Sequence, residues 1–271
     1  KSNLHPTRSP RRLMTDLLGL PINASAHGGR IDLLMFLLHF LMVVIFIGWG
    51  IFFLYALVRF RKKKNPKADY TGVKSHRSTY VEVAVVVAEA VLLIGFSIPF
   101  WAAEVDAFPE PEANPFEVRV VAQQFAWNIH YPGADGIFGR TSPDLVDEVD
   151  NPLGLDREDA NGADDITSFN LLRLPKGRQA LIQLTSKDVI HSFGVPEFRI
   201  KQDAIPGMRI PITFTPTMAT KEFREASGDK YRSYEIACAQ LCGNFHYSMR
   251  GTVIVDTPEE IRAWLDKKAP K

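Results

Sequence analysis

Cysteine is scarce in this sequence: Cys238 and Cys242 are the two in a chain of 271 residues. So small a number excludes a scaffold stapled by several disulfides. The haem-attachment pattern C-x-x-C-H is missing, so no c-type haem is held covalently. An excess of charge is missing too. The 32 Lys and Arg residues nearly cancel the 31 Asp and Glu residues, for a net +1, which argues against nucleic acid or another polyanion as partner. No internal repeat is visible. An initiator Met is also lacking: the sequence opens on Lys1, and its first apolar run is too long and too far along for a secretory h-region. A leader removed beforehand is therefore expected.

What the chain does have is two long apolar runs, hidden behind a mean hydropathy of -0.06. Residues 31–58 contain only Asp32 and His39 as strongly polar members. Residues 81–103 carry Glu82 and Glu89. Each run exceeds or matches the roughly 20 residues that cross a bilayer as a helix, so two transmembrane helices are expected. The intervening stretch 59–80 holds Arg59, Arg61, Lys62, Lys63, Lys64, Lys67, Lys74 and Arg77 against the single acid Asp69. The positive-inside rule makes it a cytoplasmic loop. Residues 1–30 and everything from 104 onward then lie on the outer, periplasmic side of the cell's inner membrane, a placement that Arg8, Arg11 and Arg12 oppose only weakly. Intramembrane carboxylates call for a function or a partner; the bland alternative for Glu82 is snorkelling to the interface, and for Glu89 a bond to a neighbouring subunit.

After a linker at 104–116 the pattern changes to short alternating segments such as FEVRVV, QALIQLTS, RIPITF and GTVIV, separated by Pro, Gly and Asp. Alternation at this spacing predicts an antiparallel sandwich or barrel over 117–257. An insertion at 135–165 is acid-rich, with ten Asp and Glu residues against Arg140 and Arg157. It reads either as a solvated surface loop or as a docking field for a basic protein. Thr257, Pro258 and Glu260 mark a helix start, with Lys267 and Lys268 near its far end, for a surface helix over 258–271.

The densest chemistry is IACAQLCGNFHYSMRG, which spaces Cys238, Cys242, His246 and Met249 as C-x3-C-x3-H-x2-M. A second imidazole, His191, stands in DVIHSF. Two thiols, two imidazoles and a thioether make a soft donor set, and the thioether favours copper over zinc or calcium. Two cysteines this close could bridge two copper ions, each completed by one histidine, so that a transferred electron spreads over both. A Cys238–Cys242 disulfide and a Cys2His2 zinc site remain as alternatives.

These segments resemble subunit II of cytochrome c oxidase, whose pattern C-S-E-x-C-G-x-x-H-x-x-M is followed at Cys238, Gln240, Cys242, Gly243, His246 and Met249. DVIHSF around His191 and DAIPG at residues 203–207 match too. The resemblance covers nearly the whole chain. It implies a two-helix membrane hairpin followed by a cupredoxin-like Greek-key β-sandwich that holds the binuclear copper centre called CuA. By position, Cys238 and Cys242 would bridge the coppers, with His191 and His246 as terminal ligands, Met249 as a weak ligand and the Gln240 carbonyl completing the set. The family usually has Glu at 240, where it reaches a magnesium ion shared with the catalytic subunit. An amide is the poorer ligand for that hard cation.

VAQQFAWNIHYP resembles the family's aromatic electron-accepting segment, with Phe125 in place of its first Trp and Trp127 retained; the alternative for Trp127 and Tyr131 is plain core packing. Glu82 sits where the family has a proton-uptake glutamate. The implied function is to take electrons from cytochrome c, or from a cytochrome c domain of a supercomplex, and pass them to haem in subunit I. There, with the other oxidase subunits, dioxygen is reduced to water and protons are translocated. The copper subunit of a nitric oxide reductase, or a membrane-tethered copper-binding protein, would share most of these features.

Overall fold

The computed structural model describes residues 17–67, 70–72, 74–105 and 114–270. Arg8, Arg11, Arg12 and Asp69, and residues 106–113 of the expected linker, lie outside the described residues. Two compact units result, one formed by Lys1–Gly19 with Arg30–Ala103, the other by Leu20–Gly29 with Glu104–Lys271.

In the first unit the apolar runs are helices that outlast the runs themselves. Helix α1 spans Gly28–Arg59 and α2 spans Arg77–Val105, and both are long and apolar enough to cross a membrane. Phe46, Trp49, Phe52 and Phe53 on α1, and Val83, Val86 and Ile94 on α2, stand exposed. A hydrocarbon surround suits such surfaces, since a helix satisfies its own backbone there. One turn of α2, Leu93–Ser97, is π-helical, and the Ile98 N–H reaches back to the Leu93 carbonyl. Pro99 follows at once; it has no N–H to continue the regular ladder, and such turns cluster at these interruptions.

In the second unit, alternation becomes a sandwich of two five-stranded sheets. The first sheet has the order β3-β2-β1-β5-β8, from Ile166–Phe169, Ala126–Tyr131, Phe116–Gln123, Ala180–Ser186 and Ile210–Phe214. The second has the order β4-β10-β9-β6-β7, from Leu171–Pro175, Arg250–Asp256, Tyr234–Cys238, His191–Val195 and Ile200–Ala204. Strand β5 shows the expected period of two, each second residue buried. The inward residues Val118, Val120, Ile182, Leu184, Leu172, Leu174, Ile236 and Val253 form the core, with Trp127, Phe193 and Tyr234 fully buried among them.

The expectation of an antiparallel arrangement needs correction, because β1 pairs parallel with β5 and β4 pairs parallel with β10. Alternation reports which face of a strand is buried, and it carries no information about the direction of the neighbour. A second departure is the short helix α3, Thr220–Ser227, which the strand pattern passed over. Its Phe223 stacks on Tyr234 with ring centroids 4.3 Å apart. The last helix, α4 (Pro258–Lys268), carries the expected reciprocal cap: Thr257 Oγ1 accepts from Glu260 N–H, and Glu260 Oε2 accepts from Thr257 N–H.

The acid-rich insertion is a folded cover on the first sheet. All of β2 is buried. Its outward His130 lies against Phe138 and bonds Asp165, which is fully buried. Asp165 also accepts the N–H groups of Gly133 and Gly139, at 3.0 and 2.8 Å. Asp164 accepts from Ala134, Asp159 from Arg140, and Asp147 from Val149 and Asp150. Asp156 pairs with Arg140. Carboxylates thus fold much of the insertion onto itself, while Asp144, Glu148, Asp150 and Glu158 stay exposed.

Candidate metal centre

Three adjacent strands of the second sheet bring the sequence-distant donors to one end of the sandwich. Strand β9 lies between β10 and β6, with Phe193 opposite Cys238 and Arg250 opposite Ala237. That register puts His191 at the start of β6, Cys238 at the end of β9 and Met249 just before β10 at the same edge. The loop between β9 and β10 supplies Cys242 and His246, the latter in a 3-10 turn.

The donor atoms converge. Cys238 Sγ and Cys242 Sγ are 3.8 Å apart, and His191 Nδ1 lies 3.9 Å from Cys238 Sγ. His246 Nδ1 is 3.6 Å from Cys242 Sγ, and Met249 Sδ is 3.8 Å from the same sulfur and 3.1 Å from His191 Nδ1. The Gln240 carbonyl stands 3.2 Å from Cys238 Sγ, while the residue itself is exposed. Both cysteines are free thiols. Their separation is nearly twice the ~2.05 Å of a disulfide. His191, Cys238 and Cys242 together offer ligand atoms within 4.8 Å of one another.

Supports outside this cluster fix its orientation. His191 is fully buried, and its Nε2 bonds Asp188 Oδ1 at 2.8 Å, which leaves Nδ1 to face the sulfurs. Burial works against the Asp188 carboxylate, but bonds from His191 and from the N–H groups of Gln124 and Val189 outweigh it and hold its pKa below the usual value. Gln124 also donates from Nε2 to the Cys242 carbonyl at 2.6 Å. Gly243 adopts φ +133°, and a Cβ there would come 2.8 Å from Gln124 Nε2, so glycine alone suits the position. Burial, together with the adjacent Cys238 sulfur, pushes the Cys242 thiol well above its ordinary range. A bound cation would be needed to hold the Cys242 sulfur as a thiolate at neutral pH.

Residues 116–257 match the family described as cytochrome C oxidase subunit II, periplasmic domain. The chain belongs to the cytochrome c oxidase subunit II family. Its sandwich is the family's cupredoxin-like domain, and the two apolar helices precede it. Similar proteins include the alternative cytochrome c oxidase subunit 2 of Bradyrhizobium diazoefficiens, 32% identical over 80% of this chain and 73% of that protein. Cytochrome c oxidase subunit 2 of Cereibacter sphaeroides is 29% identical over 79% of this chain and 68% of its own length. Among solved structures, the periplasmic domain of subunit II of cytochrome oxidase from Bradyrhizobium japonicum covers 58% of this chain and 95% of itself, at 24% identity and a TM-score of 0.39.

The aromatic residues of this subunit II chain divide sharply. Trp127 is fully buried, 6.3 Å ring to ring from His191 and 5.7 Å from Phe193. Phe125 is half-buried and meets Phe245 of the metal loop edge-on at 5.4 Å. Leu241, Phe245 and Tyr247 are exposed around the loop. Glu82 and Glu89 are exposed on α2, Glu82 toward its Arg77 end. Asp188 and Gln124 were not singled out from the sequence. The spacing D-x-x-H could have marked Asp188, because a carboxylate beside a liganding histidine is a recurrent support; nothing local marks Gln124.

Proposed function

We propose that this chain accepts electrons from a cytochrome c at a binuclear copper centre held by His191, Cys238, Cys242, His246, Met249 and the Gln240 carbonyl, and passes them to haem in the catalytic subunit. As a member of its family it is a subunit of a cytochrome c oxidase, and this reading specifies its part. The supporting observation is the convergence of soft donors from β6, from the end of β9 and from the loop that joins β9 to β10. Two thiols, two imidazoles and a thioether fit copper and leave a hard cation without its preferred oxygens. When bound, a copper pair sharing two thiolates supplies one-electron transfer with little rearrangement.

The chain's own residues do the rest. Asp188 fixes the ring of His191, Gln124 ties the loop to the β1–β2 turn, and Trp127 and Phe193 keep water from the inner side. We assign contact with the donor protein to Phe125 and Phe245, which reach the surface, and give Trp127 an internal place beside His191. The exposed Leu241 and Tyr247 suit an apolar partner surface. Magnesium would need a carboxylate from elsewhere, since Gln240 offers an amide. Glu82 is the proposed site of proton uptake.

The basic stretch between α1 and α2, which favours the cytoplasmic side, supports an outer location for the centre, and topology agrees. Before α1 begins, Ala24 is fully buried in the sandwich unit, its N–H bonding the Glu197 carbonyl, and Ser25 Oγ donates to the Phe198 carbonyl. The chain therefore leaves the sandwich unit into α1 and rejoins it after α2, as a two-pass membrane protein with its domain on the periplasmic side would.

Stopped-flow mixing of the copper-loaded chain in detergent with reduced cytochrome c tests the reading. Rapid oxidation of the cytochrome, slowed by salt and absent in Cys238→Ser, is expected. Copper that binds without accepting electrons would reduce the chain to a copper carrier.

A further inference from the structure

The sandwich carries a second polar site, whose lining includes none of the metal donors. A cleft of about 330 Å³ opens on the outer face of the first sheet, between that face and the acid-rich insertion. Its size falls within the range of small-molecule sites, roughly 300–1,000 Å³. Strand register builds the floor: Arg119 of β1 stands opposite His130 of β2 and Gln183 of β5, so the three share one face. Lys187, just beyond β5, and Arg209, just before β8, complete a cationic rim. The insertion roofs the cleft with Val146, Pro152 and Leu153 and supplies the hydroxyls of Thr141 and Ser142.

Charge in this cleft is under-compensated. Among the described residues, no carboxylate forms an ion pair with Arg119 or Arg209, and Lys187 pairs only with the largely exposed Glu148, at 3.2 Å. Such an exposed pair is weak and screened. Burial and the proximity of Arg209 loosen the proton of Arg119, against the pull of Glu117 and Asp165. One buried donor, Arg119 Nε, has no hydrogen-bond partner. Phe138 lies under the Arg119 guanidinium, 4.0 Å from ring centroid to central carbon, and holds it flat. A buried polar atom left unbonded beside clustered cations is what an absent anionic ligand would leave behind.

We propose that this cleft binds a small organic phosphate. Its oxyanion would lie between Arg119, Arg209 and Lys187, and its apolar part against Val121, Pro152 and Leu153. Dianionic charge answers three cations better than a single carboxylate does, and the apolar roof favours an organic over an inorganic phosphate.

Isothermal titration calorimetry of the full chain in detergent tests this, with phenyl phosphate and inorganic phosphate as the probes. Saturable binding of phenyl phosphate is expected, tighter than that of inorganic phosphate. Arg209→Gln, an exposed residue without an ion pair, should weaken it about tenfold, as should Lys187→Gln. Glu148→Gln, which frees Lys187, should tighten it, and Lys201→Gln on the other sheet should leave it unchanged. Circular dichroism of each variant separates lost binding from lost folding. Absence of saturable binding, or binding untouched by Arg209→Gln and Lys187→Gln, would overturn the site; equal affinity for the two phosphates would overturn its organic ligand.

Discussion

Two loops at the margins of the sandwich invite comparison, the metal loop between β9 and β10 and the insertion between β2 and β3. Both are dense in polar side chains. In the insertion, carboxylates turn inward upon their own backbone: Asp165, Asp164, Asp159 and Asp147 each accept main-chain N–H groups. In the metal loop the side chains turn toward one another, and sulfur and nitrogen atoms that make only weak bonds stand 3.1 to 3.9 Å apart. The difference teaches that density of functional groups does not identify a site. What identifies it is convergence without mutual satisfaction, since donors that neither bond nor repel one another strongly are left for a third party.

The sharpest way to break the comparison is to remove a converging donor. Cys238→Ser should abolish the proposed copper pair while leaving the sandwich folded, as read by elemental analysis and circular dichroism; full metal retention would mean that the cluster is incidental. Asp165→Asn should do the reverse. Losing the carboxylate oxygen that holds His130 and Gly139, while the amide oxygen can still accept from Gly133, should cost about 2 kcal/mol in thermal unfolding, with the metal content of the folded fraction unchanged. Between these stands Asp188→Ala, which removes the bond to His191 and should weaken copper retention about 10–100-fold. Competition with a chelator measures it.

The smallest effect concerns pH. Burial lowers the pKa of His130 from the ordinary 6.5, against the opposing bond to Asp165. The unfolded chain therefore takes up this proton before the folded one does. Stability from this group is complete above about 6.5 and is lost as pH falls below that value. His130→Gln should flatten this part of the stability profile; an unchanged slope would assign it to other groups.

Much of this was legible from residues alone. The apolar runs gave the helices, period-two alternation gave the strands, and the spacing from Cys238 to Met249 with His191 marked the sulfur and imidazole side chains that the fold brings within 3.1 to 3.9 Å of one another. Spacing worked there because the loop is short and its ends are pinned by β9 and β10. The parallel pairs β1–β5 and β4–β10 were not legible, because alternation is blind to a neighbour's direction. Nor was the part played by the insertion's acids: Asp165 and Asp144 look alike in sequence, and only the fold buries one of them. The two aromatics of the Phe125–Trp127 segment separate for a like reason, since a turn sets one near the surface and the strand that follows takes the other inside.

The central claim is that the chain holds two copper ions sharing one exchangeable electron. Electron paramagnetic resonance of the copper-loaded full chain, held in its half-reduced state, tests it most directly. Hyperfine structure from one unpaired electron spread equally over two copper nuclei is the predicted result. Hyperfine structure from a single copper nucleus would contradict it.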